Sequence, residues 1–238
     1  MTTGINEDTK MISVVLPVLN QFKLTNDLLL CISKNEYKPQ EIILIDNGSI
    51  EPINNLPKLY EGLNINYVRF NENIGVNPSW NLGIMKARNN IVSILNNDLL
   101  INNHFFKYIE ETMKNEEIGI CVPNTISDMY GAMTCKYKNP IQLSPCNKRE
   151  GWAFTIKKDI VEKMGYIPKE LNRTYGDDYI FYCARKLNLK TVRMEDNYIF
   201  HYGSVTTVKE LKEKGKDFPN KNTEKDIWLK IKAKLEEN

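Results

Sequence analysis

Along the first half of the chain, short apolar runs alternate with stretches whose apolar positions recur every three or four residues. Ile12 to Leu16 is a β-branched run, and Leu24, Leu28, Cys31 and Ile32 behind it follow helical spacing. Glu41 to Ile45 is a second apolar run, closed by the turn signal Asp46-Asn47-Gly48-Ser49. Leu63 to Phe70 reads as a third strand. The next helix has readable punctuation. Asn77 is placed to cap it, Pro78 suits its first position, and Val76, Trp80, Ile84 and Ala87 share one face. Ile91 to Leu95 is a fourth strand ending at Asn96-Asn97-Asp98. Phe106, Ile109 and Met113 space another helix, and Ile118 to Val122 is a further strand.

Strands this apolar are buried on both faces, so the pattern predicts a doubly wound, mostly parallel α/β sheet over residues from about 10 to 123. Such sheets bind ligands beyond the carboxyl ends of their strands, and Asn20, Asp46 and Asp98 stand at that edge. The second half is less regular. Residues 124 to 150, with Gly131, Pro140 and Pro145, read as a long loop or broken hairpin of the kind that often covers a site. Ile156, Ile160, Val161 and Met164 predict a short helix stopped by Gly165. After Gly176, the positions Ile180, Phe181, Ala184 and Leu187 make the inner face of a helix. Asp177 and Asp178 in its first turn, with Arg185 and Lys186 in its last, complement the helix dipole.

Composition narrows the function classes. The 238 residues are 42% hydrophobic and 26% charged, enough for one large domain with its own core. A mean hydropathy of -0.44, with apolar runs no longer than a strand, argues against a transmembrane helix. A net charge of +2 argues against a dedicated nucleic-acid binder. Five cysteines without a CxxC pair, and a polar start carrying Glu7 and Asp8, lead us to expect reduced thiols, no targeting segment and a cytoplasmic location. The spacing of Cys121, Cys135 and Cys146 is unlike a zinc knuckle.

Four polar features stand where apolar elements begin or end, each with two readings. Asp46 can accept hydrogen bonds from a base or ribose, or simply form a turn before Asn-Gly. Asp98 can hold a divalent cation together with phosphate oxygens, or cap the helix after Asn102. Asp177 and Asp178 can supply a general base or cap their helix. His201, ending Tyr198-Ile199-Phe200, can be a ligand or a hydrogen-bonded structural residue. Neither GxGxxG nor a Walker sequence is present, so neither a dinucleotide site nor a P-loop is supported.

Taken in order, these features resemble the inverting family 2 glycosyltransferases of the GT-A fold, from about Met11 to Thr206. Ser13 to Asn20 is similar to that family's opening strand and nucleotide-contacting loop. Ile45 to Ser49 is similar to the second strand and its base-binding acid. Asn71 to Gly75 with Trp80 to Ile84 resembles its Asn/Gly-rich approach to the third helix. Leu95-Asn96-Asn97-Asp98 stands where the family has its DxD-type metal motif, with Asn96 where many relatives carry an acid. Gly151 to Phe154 resembles the acceptor-side segment. Tyr175-Gly176-Asp177-Asp178 resembles the ED motif, its first acid shortened, and His201-Tyr202-Gly203 the late metal-binding histidine.

The resemblance implies one GT-A catalytic domain over 1–206, with a nucleotide-binding half at about 10–123 and an acceptor half at about 124–206. It implies Asp178 as the base with Asp177 beside it, and Asp98 and His201 on a divalent Mn2+ or Mg2+. Pro17, Val18, Asn20, Asp46, Gly75, Asn81 and Asn97 would lie on the nucleotide. Trp152 would be a stacking floor under a sugar or a core tryptophan, and Tyr130 and Tyr137 would approach the acceptor. The implied partners are a nucleotide sugar, expected to be UDP-linked, and a glycan or glycolipid hydroxyl.

The Lys/Glu-rich tail, 207–238, carries an apolar stripe of Ile227, Trp228, Ile231 and Leu235 between Lys225, Lys230, Lys232 and Lys234. Such a helix either docks on the domain or a partner, or lies on a membrane surface through 224–235. Two rival functions remain at this level. A sugar-phosphate nucleotidyltransferase would open with a Gly-rich phosphate loop, and Pro17 to Lys23 has no glycine. A non-catalytic carbohydrate-binding or scaffold relative would share the fold without the activity.

Overall fold

The computed structural model describes residues 12–146, 150–203 and 221–237. The polar start and residues 207–220 of the tail lie outside the described residues. The chain begins with β1 (Ile12–Val18), α1 (Phe22–Lys34), β2 (Glu41–Asn47), α2 (Leu56–Leu59), β3 (Ile65–Phe70), α3 (Val76–Lys86) and β4 (Ile91–Leu95). It continues through β5 (Leu99–Ile101), α4 (Phe105–Met113), β6 (Ile118–Thr125), α5 (Met129–Thr134), β7 (Leu143–Pro145) and β8 (Ala153–Lys157). The last elements are α6 (Asp159–Met164), α7 (Gly176–Lys186), β9 (Lys190–His201) and α8 (Lys221–Glu237).

One sheet runs through the molecule in the order β3-β2-β1-β4-β8-β6-β9-β5, and β7 pairs with β9. The strands β3, β2, β1 and β4 are mutually parallel, as their apolar runs predict. β8 is antiparallel to both β4 and β6, and β5 and β7 are antiparallel to β9. The two faces are covered by separate apolar clusters. One is built around Leu28, Ile32, Phe105 and Phe106, the other around Trp80, Ile84, Phe154 and Phe181.

The β1–β4 ladder stops at Val15 and Ile94, whereas the β1–β2 ladder continues to Val18 and Asp46. The chain order reverses between β1 and β4, so the crevice beyond their carboxyl ends is the topological switch point of the parallel part. β6 and β9 end at the same edge, and antiparallel β8 begins there.

Several sequence expectations are corrected here. Ile156 lies in β8, not in the helix that Gly165 ends; all five residues of β8 are buried, Lys157 included, so no alternation marks the strand. Residues 124 to 150, expected as a long loop or broken hairpin, contain α5 and β7, with β7 paired to β9. Asn77 does not cap α3. Gly75, at φ 96°, precedes the helix, and the Asn77 amide instead reaches Leu171 O and Thr174 O at 3.1 and 3.0 Å. Asp98 caps no helix, since α4 starts after His104.

For the tail, the docked alternative holds. Trp228 is buried edge-on to Tyr179 and Tyr182 of α7, with Ile227, Ile231 and Leu235 packed on the same cluster. The apolar stripe is therefore covered by the domain and is not presented to a membrane. Among the described residues no helix is long and apolar enough to cross a membrane.

Candidate active site

The sheet edge at the crevice gathers the polar groups. β5 lies antiparallel to β9 with Leu99 opposite His201, and the Tyr202 N–H donates to Asp98 O at 3.0 Å. This register brings His201 Nε2 to 3.2 Å from Asp98 Oδ1. Both atoms are buried, yet neither makes an aligned hydrogen bond. The proximity and the missing bond are compatible because distance alone does not make a hydrogen bond. A buried carboxylate oxygen and a buried imidazole nitrogen that face each other without an aligned hydrogen bond are groups that could hold a cation. Among the described residues no group of three or more His, Cys, Asp or Glu lies together. The pair fits an ion whose other positions are filled by phosphate and water, the usual state of a divalent cation beside a nucleotide.

Trp152 fixes the histidine ring. The indole stacks on His201 at 5.3 Å between centroids and 17° between planes, while its N–H donates to Thr125 Oγ1 at 2.9 Å. Trp152 O accepts from Asn96 N at 2.8 Å, tying β8 to the loop that carries Asp98. One ring face of Trp152 is therefore spent on His201, and the side chain also packs against the core cluster built around Leu28 and Phe105. Gly151 lies under the Asp177 carboxylate: a Cβ there would stand 2.9 Å from Asp177 Oδ2. The first turn of α7 thus reaches the Trp152 segment through Asp177, with buried Asp178 next along the chain.

Beyond β1 and β2 the nucleotide-side loops are stitched together. Asn20 N donates to Ser49 Oγ at 2.8 Å, and Asn20 Oδ1 accepts from Ile50 N at 2.9 Å. Asn20 and Gln21 both sit at φ 58°. Pro17 and Val18 pair with Ile45 and Asp46. Asn97 crosses the crevice to donate to Thr25 Oγ1 of α1 at 3.0 Å.

Asp46 is the penultimate residue of β2 and 0% exposed, and its carboxylate closes the turn through Asn47-Gly48, one of the two readings its sequence offers. Its carboxylate accepts from Ser49 N at 2.9 Å, from the Tyr67 hydroxyl at 2.8 Å and from the Arg69 guanidinium. Burial alone would raise its pKa, but the hydrogen bonds from Ser49, Tyr67 and Arg69 together outweigh burial and hold it below the ordinary aspartate value. Arg69, which also donates to Ser49 O at 2.8 Å, is the partly exposed member of this group. Sequence reasoning missed Arg69 and Tyr67. Their only signal is alternation on β3, which places both on one face.

Gly75 and Asn81 turn out to be framework residues. A Cβ at Gly75 would stand 2.2 Å from Asn172 Oδ1, so glycine admits the close approach of the loop before α7. The Asn81 amide is engaged at both ends by Ile167, donating to its O at 2.8 Å and accepting from its N at 3.1 Å. Tyr137 packs with His104 and Tyr108 beside α4, away from the Asp98 cluster, and Tyr130 is exposed on α5.

Comparisons with known proteins bear on the fold and the family. An uncharacterized glycosyltransferase of Rickettsia conorii is 25% identical, the match covering 93% of this chain and 44% of the relative. The structure of GalNAc-T7 with UDP, GalNAc and Mn2+ superposes with a TM-score of 0.68 at 17% identity, covering 82% of this chain and 44% of that one. The mannosyltransferase PcManGT from Pyrobaculum calidifontis, in complex with GDP-Man and Mn2+, gives 0.65 at 15% identity, covering 85% and 60%. The chain thus spans roughly half the length of these relatives, and the structural likenesses establish the GT-A fold. The family model described as glycosyl transferase family 2 matches residues 13–176, more than half of the sequence, and the chain belongs to that family.

Proposed function

We propose that this chain transfers a sugar from a nucleotide-sugar donor to a hydroxyl of a glycan or glycolipid acceptor, by a single displacement that inverts the anomeric centre. The observation that carries the reading is the buried, unsatisfied pair Asp98 Oδ1 and His201 Nε2, 3.2 Å apart at the sheet's switch-point edge. A divalent cation held by these two residues would act as a Lewis acid for the leaving diphosphate. The relatives solved with UDP and Mn2+ or with GDP-Man and Mn2+ support both the donor class and the metal. UDP is the nucleotide we favour, because it is the commonest donor in the family that the sequence resembles.

The residues of this chain divide the work by position. The loops after β1 and β2, held to each other by Asn20 and Ser49, frame the pocket for the base. Asp46 serves there by fixing Arg69 and Ser49, since its own carboxylate is buried and occupied. Asn97 stands beside the ribose and diphosphate position. At the far side of the crevice, Asp178 takes the proton of the acceptor hydroxyl as that oxygen bonds to the anomeric carbon. The bond from that carbon to the phosphate oxygen breaks in the same step, and the nucleoside diphosphate leaves with the electron pair. Asp177, lying over Gly151, seats the turn that presents its neighbour. Holding donor and acceptor in line is the largest contribution that binding can make.

Five free thiols among the described residues fit a reducing, cytoplasmic setting. A thermal-shift screen of nucleotides and nucleotide sugars, with and without Mn2+, tests the reading. Stabilisation by one nucleotide family that requires the metal is expected. Failure of every nucleotide and nucleotide sugar to stabilise the protein would overturn it. Asp178→Asn should lose transfer while keeping nucleotide-sugar affinity, and retained turnover would remove Asp178 from the base's role.

A further inference from the structure

We infer that Glu224, on the C-terminal helix α8, is a positioning residue for the acid pair of α7; the inference rests on the proposed transfer reaction. The Glu224 carboxylate accepts from three consecutive backbone N–H groups, at 3.2 Å from Asn172, 3.1 Å from Arg173 and 2.6 Å from Thr174, and from the Thr174 hydroxyl. These residues form the turn that delivers the chain into α7, whose first turn holds Asp177 and Asp178.

The turn is gripped from its other side by α3. Asn77 Nδ2 donates to Leu171 O and Thr174 O, Asn77 N donates to Asn172 O at 3.1 Å, and Asn172 Nδ2 donates to Ile74 O at 3.0 Å. Gly176 approaches Asn77 so closely that a Cβ would stand 2.1 Å from Asn77 Oδ1. The backbone N–H groups of the turn are thus held by α8 and its carbonyls by α3. Between these grips Tyr175 sits at φ 61°, a left-handed conformation that costs a non-glycine residue energy and persists only where surroundings over-determine it. One turn further along α8, Trp228 docks on Tyr179 and Tyr182, so the same helix holds both the start and the body of α7.

A carboxylate that accepts several backbone N–H groups holds them more firmly than water can, through charge-assisted bonds. Releasing it frees the turn that sets where Asp177 and Asp178 stand, and an ångström of misplacement suffices to cost about 100-fold in rate. The Glu224 bonds end on residues 172–174 and not on the loops after β1 and β2, so donor binding should change little. The C-terminal tail is therefore a working part of the acid-pair segment, not an appendage to it.

The test compares Glu224→Ala and Glu224→Gln with the unaltered protein, well below the melting temperature of each. Expected for Glu224→Ala is a kcat lower by about 10- to 100-fold with donor KM within about twofold. Hydrogen exchange at residues 172–178 should be faster, and elsewhere unchanged. Glu224→Gln, which keeps the side chain's length and one acceptor oxygen, should fall between, and it carries the test if the alanine variant does not fold. An unchanged kcat in folded variants overturns the inference, and so does a loss confined to donor KM. If the unaltered protein transfers no sugar from any nucleotide sugar, the proposed function fails instead. Exchange at 172–178 then still decides whether Glu224 holds the turn.

Discussion

Gly83 lies in the interior of α3, where alanine ordinarily stabilises a helix by about 1 kcal/mol relative to glycine. We predict the opposite sign here. A Cβ at Gly83 would stand 2.2 Å from Val15 Cγ1, 2.7 Å from Cγ2 and 3.0 Å from Cβ. Reaching the 3.4 Å of ordinary contact requires the helix and strand to part by about 1.2 Å. Val15 cannot turn aside, because it is fully buried between Ile43 and Ile94 on the central strand, and a β-branched side chain has few rotamers. A parting of that size falls at the upper end of the overpacking range, about 2–3 kcal/mol, and with the helix term of about 1 kcal/mol subtracted the net loss for Gly83→Ala is about 1–2 kcal/mol. At about 2–4 °C per kcal/mol for a chain of this size, Tm falls by roughly 2–8 °C.

Urea unfolding followed by circular dichroism gives the loss directly, provided the m-value is unchanged. Gly62→Ala, where a Cβ meets nothing within 4 Å, is the control and should stay within about 0.5 kcal/mol. Combining Gly83→Ala with Val15→Ala removes the two γ carbons that collide, so the double variant should recover about 1 kcal/mol relative to additivity. A Gly83→Ala protein as stable as the original, with no coupling to Val15, would refute the close packing of α3 on β1. That packing also sets the start of α3, whose preceding loop Asn47 holds through Ile74 N and Gly75 O. Gly83→Ala should therefore weaken nucleotide binding as well.

Three further predictions concern the polar framework. Asp46 and Glu41 both have folded pKa values below the ordinary 3.8 and 4.5, despite burial, because hydrogen bonds from Ser49, Tyr67 and Arg69 and from Arg88 and Ser13 favour the ionised form. Their contribution is present above the unfolded values and lost as pH falls through the folded ones, so the urea midpoint should drop below about pH 4. Glu110, raised by burial, acts in the opposite sense, and a midpoint that rises on acidification would contradict the framework assigned to Asp46 and Glu41. Asp46→Ala removes the buried acceptor shared by Ser49 N, the Tyr67 hydroxyl and Arg69, and should lower the urea midpoint and weaken nucleotide binding; a neutral effect on both would remove its framework role. Trp152→Ala should lower Mn2+ affinity about tenfold in calorimetry, with Thr125→Val lowering it less. Unchanged affinity in both would mean that the stack does not set the His201 ring.

The parallel half of the fold was legible because its strands are buried on both faces. Ile12 to Leu16, Glu41 to Ile45 and Ile91 to Leu95 read as apolar runs and lie within β1, β2 and β4, and the helices between them show one apolar face each. Antiparallel β8 was lost because Lys157 is buried with its amine on Glu116 O, and because Ile156 falls at helical distance from Ile160. β7 was lost because a three-residue strand ending in Pro145 carries no period.

In the site, the order of motifs along the chain pointed to Asp98 and His201, and the β5–β9 register brings them together. What the string could not carry was side-chain allegiance between distant segments. The Asp46 carboxylate faces Arg69, the Trp152 ring lies on His201, the Asn77 amide serves the loop before α7 rather than its own helix, and Glu224 belongs to a turn fifty residues earlier. Each of these is a tertiary choice among chemically equivalent partners, which local pattern does not specify.

The central claim is that Asp98 and His201 together hold a cation for a nucleoside diphosphate. Calorimetric titration of UDP in the presence and absence of Mn2+, on the unaltered protein and on Asp98→Ala and His201→Ala, measures it directly. The account predicts that Mn2+ tightens UDP binding by about tenfold or more in the unaltered protein, and that either substitution abolishes the difference while the protein remains folded. Equal Mn2+-dependent tightening in all three proteins would contradict it.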